Sequence, residues 1–134
     1  MANSKDRDPL APARERGRKL KAKALRRPDM LTLSEVAAAL LIAEPEVLEL
    51  SGQGHLLMLS DDDTERRWPA WQILEDGTIL PGLPEVQRNV PSPWTAYFFL
   101  TAYHPLIGGS PLEALRSGRL DDALRAADTR VGFE

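Results

Sequence analysis

The chain contains no cysteine and only two histidines, His55 and His104, among its 134 residues. These shortages exclude a disulfide framework, thiolate zinc sites, a cysteine nucleophile and a histidine-rich metal site. No apolar run approaches the roughly 20 residues of a membrane span, and the basic, polar N-terminus does not have the pattern of a secretory signal. We therefore expect a cytoplasmic protein that neither binds a metal nor enters a membrane.

Catalytic motifs are missing as well. No serine lies in a nucleophile elbow, and residues 51–54 (SGQG) lack the Gly-Lys-Ser/Thr of a phosphate loop. The acidic run at residues 61–63 lacks the spacing and the bidentate glutamate of a calcium loop. We expect neither enzymatic activity nor a cofactor.

Charge is distributed unevenly along the chain. Residues 1–30 carry ten basic and four acidic residues, a net charge of +6, whereas the remainder carries seven and sixteen, a net charge of −9. We predict a flexible basic arm at residues 1–28, because like charges repel and the apolar stripe is thin. A second region follows at residues 29–90, and a third at residues 91–134.

A helix-turn-helix-like pair is predicted after the arm. Thr32 and Glu35 form the capping-box pattern of a helix over residues 33–42, and Pro45 suits the first turn of a second helix over residues 45–51. Such pairs place their second helix in the major groove of DNA.

Two departures argue against DNA reading by this pair. Leu41 stands in the turn, where many such units carry glycine, and Glu44, Glu46 and Glu49 give the second helix the sign of the phosphates. Two interpretations stay open: a DNA reader, or a two-helix element that never touches bases. Any DNA contact is expected from the arm and from a strand edge, which together supply the candidate residues Arg14, Arg16, Arg18, Lys19, Lys21, Lys23, Arg26, Arg27, Arg66 and Arg67.

Short strands are predicted in the middle of the chain. Residues 56–59 are apolar, residues 66–74 contain two tryptophans and an isoleucine, and Asp76-Gly77 is a hairpin signal. We predict a small antiparallel sheet of two or three strands, with Pro69 keeping its strand at an edge or forcing a bulge.

The C-terminal third is predicted to be helical. Helices are expected to open at Pro84, at Ser92 and at Ser110, where Glu113 completes a second capping box, and a last helix should cover residues 120–128. The fold class is therefore α+β and mostly α, with a helix-turn-helix-like unit, a small antiparallel sheet and a helical C-terminal region.

The C-terminal block resembles the toxin-binding domain of the Xre/MbcA/ParS family of bacterial antitoxins. Members end with a helix closing in Phe-Leu, a Leu-x-Gly-Gly-like turn, a Pro-Leu-x-x-Leu-x-x-Gly segment and an alanine-rich helix. The similarity extends upstream to residues 69–72 (PAWQ) and 81–83 (PGL), and covers about residues 31–128. The matching positions in the block are Phe99, Leu100, Leu106, Gly108, Gly109, Pro111, Leu112, Leu115, Gly118, Leu124 and Ala127.

The resemblance implies an antitoxin of a type II toxin-antitoxin system. Family members pair with a toxin from a neighbouring gene, commonly of the NAD-degrading RES type, and occlude its active site with the C-terminal domain. Many dimerise and repress their own operon, so a homodimer, a hetero-oligomer with the toxin and operator DNA are expected partners. The residues expected to bind the toxin are Trp94, Phe98, Phe99, Leu106, Gly108, Gly109, Pro111, Leu115, Arg116, Gly118, Arg130, Phe133 and Glu134.

Two other functions fit the same sequence. One is a DNA-binding transcriptional regulator, related to the excisionase and MerR-like proteins, whose C-terminal region only dimerises. The other is an adaptor that binds no DNA. Trp94, Phe98 and Phe99 cannot share one face of a helix. Whichever function applies, this helix should therefore present an apolar surface to a partner or a second copy.

Overall fold

A computed structural model describes residues 9–61 and 65–131 of the chain. Seven α-helices and a three-stranded antiparallel sheet make up this part, which confirms the mostly helical α+β fold class. The elements are, in chain order, α1 (Ala11–Leu25), β1 (Met30–Leu31), α2 (Leu33–Leu40), α3 (Glu44–Gly52), β2 (Leu59–Asp61), β3 (Glu65–Pro69), α4 (Leu83–Arg88), α5 (Pro93–Thr101), α6 (Pro111–Arg116) and α7 (Leu120–Val131).

The helix pair α2–α3 opens with the predicted capping box. Thr32 Oγ1 accepts from the Glu35 amide at 3.3 Å, and the Glu35 carboxylate accepts from the Thr32 amide at 2.8 Å. The helix ends two residues earlier than predicted because Leu41 adopts a left-handed conformation, with φ 58° and ψ 45°. This leucine therefore occupies the backbone position at which glycine is usual.

The sheet has the order β1-β3-β2, so β3 is its central strand. The expectation of an edge strand or a bulge at Pro69 is wrong. Pro69 is the last residue of β3, paired with Met30, and the next amide, that of Ala70, donates to the Asp29 carbonyl at 2.8 Å. A central strand tolerates this proline because it stands where the ladder ends.

Trp68 fixes the sheet to the helix pair. Its side chain is fully buried beside Val36 and Val47, and its Nε1 donates to Ser51 Oγ at 2.9 Å. The Ser51 hydroxyl in turn donates to the Val47 carbonyl at 2.8 Å. The end of α3 is thereby held against β3, and the helix pair and the sheet share one small core.

Gln72 extends the sheet beyond β3. A 3₁₀ turn at Ala70–Gln72 follows the strand, and the Gln72 side chain is fully buried. Its Oε1 accepts from the Leu57 amide at 2.7 Å, while its Nε2 donates to the carbonyls of Leu57 and Pro69 at 2.9 and 3.0 Å. The Gln72 side-chain amide thus satisfies the backbone groups of Leu57 that a neighbouring strand would otherwise bond.

The basic segment at residues 1–28, predicted to be flexible, contains the helix α1. The protein has two hydrophobic cores, and the last turn of α1 enters the larger one. There Ala24 and Leu25 are buried with Leu57, Leu59 and Tyr97. These apolar contacts offset the repulsion among the like charges, which the sequence pattern alone does not reveal. All three predicted regions contribute residues to this larger core.

The C-terminal helices follow the predicted pattern with shifted ends. The capping box of Ser110 and Glu113 opens α6 and is confirmed, whereas α4 begins one residue before Pro84 and α7 runs past residue 128 to Val131. The predicted hairpin at Asp76 is only an isolated bridge between Ile73 and Ile79. The buried residues of α6 and α7 pack against each other and complete the larger core.

Candidate functional site

Three aromatic rings of α5 contact one another. Ser92 caps the helix by accepting from the Thr95 amide at 3.1 Å. Trp94 stacks on Phe98 with ring centroids 5.8 Å apart and an interplanar angle of 24°, and both rings meet Tyr97 edge to face. Burial raises the pKa of the Tyr97 hydroxyl. Trp94 is half-buried, so this cluster supports Phe98 from below.

The chain forms a tight turn over residues 104–109 after α5. Tyr103 lies just before this turn and Leu106 lies within it. The His104 amide donates to the Gly109 carbonyl at 2.8 Å, and the His104 carbonyl accepts from the amides of Ile107 and Gly108, both at 3.0 Å. His104 Nδ1 also accepts from the Leu106 amide at 3.2 Å. Gly108 has a φ of 74°, which suits glycine and closes the turn.

We define the 98–106 surface as Phe98, Tyr103 and Leu106. Their side chains are 39%, 70% and 62% exposed, respectively. In the part of the chain that the structure describes, they are half of the large exposed apolar side chains. All three lie within nine residues of sequence, and we take this segment as the candidate binding surface.

Several residues expected to bind a toxin lie inside the protein instead. Phe99, Pro111 and Leu115 are buried, and the Phe99 ring packs edge to face on His104 at 6.3 Å. A Cβ at Gly109 would come within 2.7 Å of Glu113 Oε1. These residues hold the turn and α6 in place, and their contact with a toxin stays a prediction.

The remaining expected positions lie at the end of α6 and beyond. Gly118 has a φ of 75° and ends α6. Arg116 is exposed and its Nη2 donates a long 3.4 Å hydrogen bond to the Trp71 carbonyl. Arg130 belongs to the last turn of α7, and Phe133 and Glu134 lie outside the described residues.

Ionic hydrogen bonding sets the charge state of the α6 cap. The backbone amide and the hydroxyl of Ser110 both donate to Glu113 Oε1, at 2.8 and 3.2 Å. These bonds hold the pKa of the Glu113 carboxyl below its ordinary value. The Glu113 carboxyl is therefore ionised at neutral pH, and the capping hydrogen bonds are formed there.

The basic residues of α1 and of the two positions that follow it, Arg26 and Arg27, are mostly exposed. Arg18 pairs with Glu15 at 2.6 Å, which lowers the pKa of Glu15, and Arg27 pairs with Asp29 at 3.3 Å. Lys21 differs, because it is half-buried with its Nζ 5.9 Å from the centre of the Trp94 ring. The exposed members of the candidate set on this segment are Arg14, Arg16, Arg18, Lys19, Lys23, Arg26 and Arg27.

The hairpin of β2 and β3 adds two arginines. Arg66 is exposed, whereas Arg67 is half-buried and pairs with Glu65 at 3.0 Å. The outward face of α3 is acidic, because Glu46 and Glu49 are exposed there. The helix that would read bases in a helix-turn-helix protein therefore repels the DNA backbone.

The described ranges, 9–61 and 65–131, hold no group of three or more His, Asp or Glu side chains arranged to bind a metal ion. Within the same ranges, no helix combines the length and the apolar character that crossing a membrane requires. A shallow cleft of about 380 Å³ lies between the end of α3 and the start of α4, lined among others by His55, Leu80 and Glu85. Nothing in its lining singles out a ligand.

Comparison with known proteins shows a shared fold. No protein-family model matches the chain. The NMR structure of Rv2175c superposes with a TM-score of 0.66 over 78% of this chain and 83% of that one, at 17% sequence identity. Polyketide synthase GfsB from Streptomyces halstedii is 34% identical over 70 residues, which are 51% of this chain but only 1% of the synthase.

Proposed function

We propose that the chain is an antitoxin that neutralises a RES-like, NAD-degrading toxin by covering the entrance to its active site. In this proposal the chain acts by binding and catalyses no reaction. The observation that carries it is the 98–106 surface, three exposed apolar side chains on the half of the chain that resembles the toxin-binding domain. Its partners are the cognate toxin, in a hetero-oligomer, and a second copy of the chain.

The support of the 98–106 surface suits tight binding. Phe98 rests on the Trp94 ring, and the Leu106 amide is held by His104 Nδ1. Side chains that are fixed before binding lose little conformational entropy in a complex. Tyrosine, which Tyr103 supplies here, is among the residues enriched at interface hot spots.

Growth rescue tests the proposal. Co-expression of the chain with a RES-type toxin encoded beside it should relieve the growth arrest that the toxin causes. Removing residues 111–134 would also remove buried Leu112 and Leu115, so point variants are the cleaner test. Leu106→Glu should abolish rescue, and Leu10→Glu, at a similarly exposed leucine just before α1, should preserve it. Rescue by both variants alike would contradict the proposal.

We infer a second candidate function, a DNA-binding transcriptional regulator, from the exposed cations of α1 and of β3. In this proposal the α1 cations and Arg66 contact phosphates, and the acidic α3 stays out of the major groove. Repression of the chain's own operon would combine both functions.

A gel-shift titration with the upstream region of the gene tests this second function. Binding should weaken steeply with salt, and replacing Arg16, Lys19 and Lys23 by glutamine should reduce it. Glu75→Gln, at an exposed turn residue, serves as a control for the fold. A flat titration at low salt would exclude the function.

A further inference from the structure

The helix α1 has an exposed face that combines a leucine with cations. Leu20 is 56% exposed, and Arg16 and Lys23 neighbour it at i−4 and i+3, with Lys19 beside it. All three cations are exposed. Because Ala24 and Leu25 are anchored in the larger core, this face has a fixed position on the protein.

A second exposed leucine precedes a helix that carries charges of the opposite sign. Leu41, in the turn between α2 and α3, is 91% exposed and is held in the left-handed conformation. Glu44, Glu46 and Glu49 follow it on α3 and are exposed. A bulky apolar side chain in a strained, solvated position is unusual unless another surface covers it.

We propose that the α1 face of one copy docks on the α2–α3 turn of a second copy. Leu20 meets Leu41 at the centre of the contact, and Arg16, Lys19 and Lys23 face Glu44, Glu46 and Glu49 around it. The two exposed patches carry opposite charge and every copy has both, so they suit a contact between two copies. The acidic character of α3 then serves protein recognition, and this inference does not depend on the antitoxin function.

The geometry sets the strength and symmetry of this contact. Each copy carries both surfaces, so a two-fold dimer makes the contact twice, and a head-to-tail arrangement forms a closed ring or an open chain of copies. Since α1 is about 22 Å long, the contact is smaller than a standard interface. The association is therefore weak, and salt suppresses it.

Sedimentation velocity of the full chain tests this contact through a charge swap. The wild-type chain should associate with rising concentration at low salt and be monomeric at high salt. One variant combines Arg16→Glu, Lys19→Glu and Lys23→Glu, and the other combines Glu44→Lys, Glu46→Lys and Glu49→Lys. Each variant alone should be monomeric, and their equimolar mixture should regain association because both contacts are again complementary.

Circular dichroism establishes that each variant is folded, and Leu20→Ser supplies an uncharged variant that should also be monomeric. A wild-type chain that stays monomeric at low salt overturns the proposal. So does association of either charge variant alone, or a mixture that fails to associate. Retention of a random DNA duplex by a chain that is monomeric throughout would assign the α1 face to nucleic acid instead.

Discussion

The indole Nε1 of Trp94 donates a 2.9 Å hydrogen bond to the carbonyl oxygen of Ser60. This bond joins α5 to β2, two elements separated by more than thirty residues of sequence. The same indole stacks on Phe98 and lies beneath the ammonium group of Lys21. One side chain thus connects the sheet, the basic helix and the 98–106 surface.

Replacing Trp94 with phenylalanine tests this connection. The variant keeps an aromatic ring beside Phe98 but loses the donor to Ser60, so we expect its free energy of unfolding to fall by about 1 kcal/mol. Urea denaturation followed by circular dichroism measures the change. Tyr103→Phe removes a hydroxyl from an exposed ring and should leave stability unchanged.

Gln72 is expected to be one of the most sensitive polar positions. Gln72→Leu removes three hydrogen bonds and leaves the buried amide and carbonyl of Leu57 without their partner. We expect a loss of at least about 2 kcal/mol in the free energy of unfolding. The control is Gln53→Leu at an exposed position, and an equal loss in both variants would refute the role of the buried amide.

The left-handed conformation of Leu41 is expected to lower the free energy of unfolding. Leu41→Gly relieves the left-handed backbone strain and should raise the free energy of unfolding by roughly 0.5–1 kcal/mol, after the extra freedom of glycine in the unfolded chain is offset. Leu41→Val should do the opposite, because a branched Cβ tolerates this conformation less well. Thermal denaturation of both variants at low protein concentration separates this effect from self-association.

The α6 cap should be sensitive to acid. The pKa of Glu113 is lowered in the folded protein, so its ionised form stabilises the fold. This contribution is complete above the ordinary pKa of glutamate and is lost as the pH falls through the lowered value. Glu113→Ala should therefore be less stable than the wild type at neutral pH, and the difference should shrink on acidification. Glu75→Ala should track the wild type throughout.

Local signals in the sequence predicted the parts of the fold that depend on neighbours in the chain. The two capping boxes, at Thr32 and Ser110, are confirmed because each closes within four residues. The strand Met30–Leu31 was missed because two residues show no periodicity. Gln72 was missed because its partner, Leu57, lies fifteen residues away and only the folded chain brings them together.

The candidate surface was predicted in part. Phe98 and Leu106 are exposed, as a binding role requires, whereas Phe99 and Leu115 match the family pattern but lie in the core. A motif records which residues are shared and does not separate those that contact a partner from those that hold the fold. Tyr103 was missed, since its exposure depends on how the chain leaves α5.

The most direct test of the account is the affinity of the chain for its RES-type toxin, measured by isothermal titration calorimetry. Leu106→Glu places a charge on the 98–106 surface and should weaken binding at least about a hundredfold, since a buried unpaired charge costs several kcal/mol. Leu10→Glu, at a similarly exposed leucine just before α1, should bind like the wild type. Equal affinity of the wild type and Leu106→Glu for the toxin, or no binding by the wild type, would contradict the account.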